Sequence, residues 1–174
     1  AETVKECAQK KIQNIVIISA GFREIGEEGL KREMEIRKIT QKYQINLIGP
    51  NCLGILNTHI SLNASFAEGM PNKGNIALVS QSGAMAVAIT DWAYKDYIGF
   101  SKILSLGNKS GITENECLEY FGQDPQTQVI MLYLESFADG RKFMEVAKKV
   151  SLKKPIIVLK SGISEAGKKA VSSH

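Results

Sequence analysis

Apolar runs of strand length alternate with amphipathic stretches of helical length along this chain, the pattern of a parallel α/β sheet. After a polar, helix-like opening, Ile15-Val16-Ile17-Ile18 is a short β-branched run closed by Ser19-Ala20-Gly21. Residues 27–43 read as a highly charged helix whose apolar line passes through Leu30, Met34, Ile36, Ile39 and Tyr43. Residues 45–48 give a further strand, ended by Gly49-Pro50-Asn51. From about 58 to 73 the pattern loses its period and carries Asn, Ser, Gly and Pro, so a domain boundary is expected there.

A second series follows. Strands are expected over 75–79, 101–106, 129–134 and 156–159. The helix expected over 83–97 opens with a nearly unbroken apolar stretch, 84–89, which predicts burial on all sides. Thr113 and Glu116 form a capping box at the start of a short helix. A further helix over 139–150 carries Phe143, Met144, Ala147 and Val150 as its apolar set, with Lys148 and Lys149 in its last turn and Pro155 beyond.

Length and composition narrow the class. A chain of 174 residues corresponds to one domain or parts of two, and 44% apolar with 23% charged is ordinary globular composition. No run approaches the ~18 to 20 uncharged apolar residues of a membrane-spanning helix, and no secretory signal opens the chain. A net charge of +4, spread among acidic residues, gives no basic stripe for nucleic acid, and aromatics at 7% are too sparse for a base-stacking platform. Cys7, Cys52 and Cys117 are odd in number and lack C-x-x-C spacing, which argues against a disulfide framework and against a metal site. A reducing, cytoplasmic setting is expected. The chain has no initiator Met and stops at Ser172-Ser173-His174, so it reads as a segment of a longer polypeptide.

Ligands of open parallel sheets bind at the carboxyl ends of the strands. Nearly every strand here ends in small or polar residues, including Gly49-Pro50-Asn51-Cys52, Ser80-Gln81-Ser82-Gly83, Gly107-Asn108-Lys109 and Glu135-Ser136. Turns require such residues anyway, and their concentration on one edge is the stronger signal. Ser80-Gln81-Ser82-Gly83, between a strand and an apolar helix, suits an anion held by free N–H groups at a helix start. The same residues also allow a plain helix cap, or a nucleophilic Ser82 on a strand-to-helix elbow, although the first Gly of G-x-S-x-G is missing. Of two histidines, His59 reads as structural, whereas His174 lies in a loop-like segment past the last strand. Glu135 is a carboxylate suited to fix the tautomer of an imidazole such as that of His174.

Taken in order, G-P-N-C-L-G at 49–54, G-N-I-A-L-V-S-Q-S-G at 74–83, G-N-K at 107–109 and D-P-Q-T at 124–127 resemble the nucleoside-diphosphate-forming acyl-CoA synthetases. The family includes the succinyl-CoA synthetase alpha subunit and ADP-forming acetate–CoA ligase. Leu134-Glu135-Ser136 and the Ser161-Gly162 to Ser173-His174 stretch lean toward the acetate–CoA ligase branch.

The resemblance implies a fold of doubly wound parallel sheets. Residues 1–58 correspond to the C-terminal half of a Rossmann-like CoA-binding domain, 59–73 to a linker, and 74–174 to a flavodoxin-like ligase domain. It implies that acyl-CoA and phosphate give CoA and an acyl phosphate, and that His174 then carries the phosphoryl group to ADP on an ATP-grasp domain. Glu135 would hold His174, and Ser80, Gln81, Ser82 and Gly83 would hold the phosphate. Asn51, Cys52, Gly107 and Asn108 would lie near the CoA thiol end and the acyl group. The implied partners are CoA, phosphate, a small carboxylic acid, and a beta subunit or fused ATP-grasp domain bearing ATP or ADP with Mg2+, in an oligomer. Acetate is the expected acid. The family's G-N-K is often followed by Asp, whereas Ser110-Gly111 stand here, which bears on acyl identity. The competing reading is a CoA-binding regulatory module of a protein lysine acetyltransferase, a class that commonly lacks the histidine. A nicotinamide-binding Rossmann protein is disfavoured, since no G-x-G-x-x-G follows a strand.

Overall fold

A computed structural model describes residues 1–162. The chain begins with α1 (Glu2–Gln9), β1 (Asn14–Val16), a single 3-10 turn (Arg23–Ile25), α2 (Glu27–Lys42) and β2 (Asn46–Ile48). β1 and β2 pair in parallel, Ile15 opposite Leu47. Val4 and Ala8 of α1 and Ile36 and Ile39 of α2 bury against Ile45 and Leu47, so both helices serve one core.

The second part contains β3 (Gly54–Asn57), β4 (Leu62–Ser65), β5 (Lys73–Ser80), α3 (Gly83–Lys95), β6 (Phe100–Ser105), α4 (Glu114–Gln123), β7 (Val129–Leu134), α5 (Gly140–Ser151) and β8 (Ile156–Lys160). Its six strands lie in the order β4-β3-β6-β5-β7-β8. β6, β5, β7 and β8 are parallel, whereas β3 runs antiparallel to both β4 and β6. The alternation of β7 explains its layering: Ile130, Leu132 and Leu134 are buried against Leu118 and Phe121 of α4 and Phe143 and Val146 of α5. On the opposite face Leu78 and Ile103 pack with Ala86 and Ala93 of α3. Helices on both faces of a mostly parallel sheet make this the α/β class that the sequence pattern predicts, doubly wound as the resemblance implies.

Several details depart from the sequence pattern. Within 59–73, expected as a linker, β4 forms and pairs with β3, extending the six-stranded sheet. β4 is mostly exposed on both faces, so its residues had no reason to alternate. In α2 the buried face is Gly29, Glu33, Ile36, Ile39 and Thr40, while Leu30, Met34 and Tyr43 point outward. Gly29 lies inward because the Phe22 carbonyl oxygen occupies the place where a Cβ would stand. α3, expected to be buried all round, buries only Ala86 and Ala93; Trp92 and Tyr94 are more than half exposed. Its apolar residues cover the sheet on one side and stand in solvent on the other. Met144 of α5 likewise faces out, and Val146 takes the inward place.

The capping box is present, Thr113 bonded reciprocally with Glu116 at the start of α4. His59 is structural, its Nε2 lying 3.0 Å from the Gly74 carbonyl. The D-P-Q-T segment forms a tight turn: the Asp124 carboxylate accepts from Thr127 Oγ1 and from the buried Lys102 ammonium at 2.7 Å. That turn satisfies the one charge on β6, whose other residues are apolar or Ser.

Candidate functional site

Because β5, β6 and β7 are parallel, their carboxyl ends open on one edge, and the turn after β2 meets them there. The loop after β6 runs along that turn: Asn108 N–H donates to the Pro50 carbonyl at 2.9 Å, Ser110 N–H to Gly49 and Ile112 N–H to Leu47. Gly107 adopts φ +54°, and a Cβ on it would meet the Pro50 and Asn51 carbonyl oxygens at 2.3 Å. Only glycine allows this approach.

A cleft of about 560 Å³ lies over this junction, lined among others by Asn51, Cys52, Gln81, Ser82, Gly83, Gly107, Asn108 and Glu135. The residues singled out from three strand ends and the Gly49–Cys52 turn therefore meet at one place. Two do not line it. Ser80 is fully buried behind the cleft, and its hydroxyl donates to the Ser82 carbonyl at 2.6 Å, bracing the turn. His174 lies outside the described residues.

Ser82 caps α3: its Oγ accepts from Met85 N–H, and its backbone is ordinary extended chain. Among the described residues no histidine or lysine bonds that hydroxyl, so the nucleophile reading gains no base. The N–H groups of Gly83 and Ala84, in the first turn of a 13-residue helix, have no intrahelical acceptor and border the cleft. Gln81 works differently from its neighbours. Its Oε1 accepts from Glu135 N–H and Ser136 N–H, both at 3.0 Å, so it fixes the loop that carries Glu135. Lys109 holds the same loop, donating to the Ser136 carbonyl at 2.7 Å and to the fully buried Glu114 carboxylate at 3.0 Å. Burial pushes the Lys109 ammonium below its ordinary value, against the opposing pull of Glu114. Glu114 also accepts from Ala138 N–H, and Lys160 donates to the Glu135 carbonyl. Four side chains, two from loops and one each from α4 and β8, thus fix the backbone around Glu135, which lines the cleft.

Cys52 is buried and donates to the Ile17 carbonyl. Burial pushes its thiol up to about 11, the Gly54 N–H opposing, so it is a neutral packing group at neutral pH rather than a thiolate nucleophile.

Sequence reasoning missed Arg23 and Glu24, which also line the cleft, and Glu33 behind them. Asn108 Nδ2 donates to Glu24 Oε2 at 2.7 Å and to Glu33 Oε2 at 2.9 Å, while its Oδ1 accepts from Asn51. Arg23 donates to the Asn108 carbonyl, and Ser110 to Glu33. Burial works to raise the Glu24 carboxyl, but donation from Asn108, Phe22 and Gly21 outweighs it and holds the group below the usual carboxylate value. The available signal was position: Arg23-Glu24 closely follow the end of the first strand. Among the described residues no three His, Cys, Asp or Glu side chains are placed to hold a metal ion, and no helix is long and apolar enough to cross a membrane.

Residues 73–174 match the succinyl-CoA ligase like flavodoxin domain, and the chain belongs to this family. Over 99% of its length it is 49% identical to acetate–CoA ligase (ADP-forming) I of Archaeoglobus fulgidus. It is 46% identical over 98% of its length to a 4-hydroxybutyrate–CoA ligase (ADP-forming) of Nitrosopumilus maritimus. The chain spans 25% of the length of each of these relatives. Its backbone superposes, with a TM-score of 0.93 and 39% identity, on a dinucleotide-forming acetyl-coenzyme A synthetase 1 of Ca. Korarchaeum cryptofilum solved with phosphate and ADP. That match covers 99% of this chain and 37% of the other. The chain is therefore homologous to part of the ADP-forming acyl-CoA synthetases.

Proposed function

We propose that this chain is the alpha-type part of an ADP-forming acyl-CoA synthetase, with acetate as the first expected acid. In this reading residues 1–58 contribute half of a CoA-binding domain, and 74–174 form the ligase domain that carries the chemistry. Phosphate oxygen attacks the thioester carbonyl; the C–S bond breaks, CoA leaves as its thiol, and an acyl phosphate remains. The phosphoryl group then passes to a ring nitrogen of His174, releasing the carboxylic acid, and His174 delivers it to ADP. An ATP-grasp domain, fused or on a beta subunit, would hold the nucleotide and Mg2+. The acyl-CoA and ADP that this consumes suit the cytoplasm.

The supporting observation is the cleft itself. It sets the start of α3, an anion site by its free N–H groups and dipole, beside Glu135 and across from Asn51, Cys52, Gly107 and Asn108. A phosphohistidine relay needs that set: an anion seat, an orienting carboxylate, and a place for the thiol end of CoA. Gln81 and Lys109 would serve by holding the Glu135 loop, and Ser80 by bracing the turn before α3.

The test is to incubate the full-length protein, with any separate ATP-grasp subunit, in Mg-ATP and map phosphate by mass spectrometry. An acid-labile, alkali-stable phosphate on His174, lost in His174→Ala while CoA still binds, is expected. CoA binding with no phosphate on His174 would instead turn the assignment to the regulatory-module reading.

A further inference from the structure

Arg23 is the one Lys, Arg or His among the described residues that line the cleft, and the phosphohistidine relay leaves its charge without a task. The 3-10 turn after β1 carries it, and its side chain is 45% exposed. Two contacts aim it. Nη2 donates to the Asn108 carbonyl, and Nε lies 3.6 Å from Oε1 of the buried Glu33. Both Nη1 hydrogens have no acceptor among the described residues. Its neighbour Glu24 is engaged elsewhere: Oε1 accepts from Gly21 N–H and Phe22 N–H, and Oε2 from Asn108 Nδ2. The guanidinium is thereby fixed to the main chain of the Asn108 loop, with N–H groups to give, at the wall it shares with Asn51 and Cys52.

We infer that Arg23 stabilises the sulfur of CoA as it leaves the acyl group, a charge at the thiol end that the start of α3, seat of the phosphate, does not serve. The inference rests on the acyl-CoA synthetase reading above. As a phosphate oxygen bonds to the acyl carbon, the C–S bond breaks and its electron pair goes to sulfur. The proton of hydrogen phosphate then passes to the thiolate. Negative charge therefore grows on sulfur in the transition state, and a fixed cation there lowers the barrier more than it tightens the neutral thioester. The neighbouring groups do not supply this. The Asn51 amide is neutral and donates to Asn108 Oδ1, and the Cys52 thiol donates to the Ile17 carbonyl. Lys109 is buried and turned to Glu114 and the Ser136 carbonyl. Glu24 and Glu135 on the cleft, and Glu33 behind it, are negative and oppose a thiolate, so its stabilisation falls to Arg23.

The test uses the full-length protein with its ATP-grasp part, and CoA itself as the probe. Ultraviolet absorbance of the thiolate, taken against protein without CoA so that Cys52 and the other cysteines cancel, reads the titration of the bound thiol. That thiol should titrate about one pH unit lower in the unsubstituted protein than in Arg23→Gln, the effect of one cation within ~4 to 6 Å. Arg23→Lys, which keeps the charge, should retain most of the difference. Release of CoA from acetyl-CoA and phosphate should slow about ten-fold in Arg23→Gln with little change in the KM for acetyl-CoA. Phosphorylation of His174 by Mg-ATP involves no thiol and should keep its rate in the same variant. A bound thiol that titrates alike in all three proteins, or CoA release as slow in Arg23→Lys as in Arg23→Gln, overturns the role of Arg23 while the synthetase reading stands. Loss of His174 phosphorylation in Arg23→Gln makes Arg23 a brace of the cleft and overturns it as well. Failure of the unsubstituted protein to bind CoA or to carry phosphate on His174 overturns the synthetase reading and takes this inference with it.

Discussion

Gly107 shows how much of the cleft turns on a single atom. With φ at +54° and the Pro50 and Asn51 carbonyl oxygens 2.3 Å from where a Cβ would stand, Gly107→Ala must push two loops apart. The strain and the separation of the loops together should cost about 2 kcal/mol or more. Urea unfolding of the full-length protein reads that loss as a lower midpoint at unchanged slope. An unshifted midpoint would show that the two loops are not held at this distance in solution. Such residues were legible beforehand, because Gly, Asn and Pro gather at strand ends whatever the tertiary structure. Arg23, Glu24 and Glu33 were not. They meet Asn108 across 85, 84 and 75 positions of sequence, and no local pattern marks a charged side chain whose partners lie that far away.

At the scale of the element, local chemistry is read well wherever it is self-contained. The Thr113–Glu116 box closes within one turn of α4, so four residues of sequence suffice to see it. Its pH dependence has a definite sign. Burial works to raise the Glu116 carboxyl, but Lys142 and the Thr113 donors outweigh it and hold it at about 2, against an ordinary value of 4.5. A folded value below the unfolded one means the contribution is fully present above 4.5 and is lost as pH falls through that range toward 2. The unfolding midpoint should fall across that window, and Glu116→Gln should remove part of the fall. Thr113→Ala should cost about 1 kcal/mol at neutral pH, as the loss of an N-cap does. An equal slope with pH in Glu116→Gln would place the acid sensitivity elsewhere. The helices α2 and α3 were read less well, for reasons outside their own sequences. α2 turns Gly29 and Glu33 inward because the Phe22 backbone and Asn108 wait there, and no period of apolar residues reveals a polar group that is satisfied at a distance. α3 has enough apolar residues to be covered on every side, yet the described fold covers one side.

Over the whole molecule, the two-stranded and six-stranded sheets are joined by one polar seam as well as by Ile48 and Cys52 in the larger core. Glu33 is its centre: Oε2 accepts from Asn108 Nδ2 and Arg23 N–H, and Oε1 accepts from Ser110 Oγ with Arg23 Nε 3.6 Å away. The seam holds Asn108 with its amide toward both glutamates, and so fixes the wall where the thiol end of CoA is proposed to lie. Two substitutions separate charge from shape. Glu33→Gln can keep its oxygen toward Asn108 and Arg23 and turn its amide to the Ser110 hydroxyl, which can accept as well as donate. It loses the charge opposite the half-exposed Arg23, a loss of under about 1 kcal/mol. Glu33→Leu leaves one Asn108 amide hydrogen, the other still held by Glu24, and the Ser110 hydroxyl buried without an acceptor, and should cost about 3 kcal/mol. Hydrogen exchange should show the difference at the amides of Asn108, Ser110 and Ile112, which bond the 47–50 backbone across the seam. In Glu33→Leu these should exchange faster while those of β7, in the covered interior of the six-stranded sheet, keep their protection. If Glu33→Gln proves as costly as Glu33→Leu, the carboxylate charge rather than its acceptor geometry holds the two sheets together.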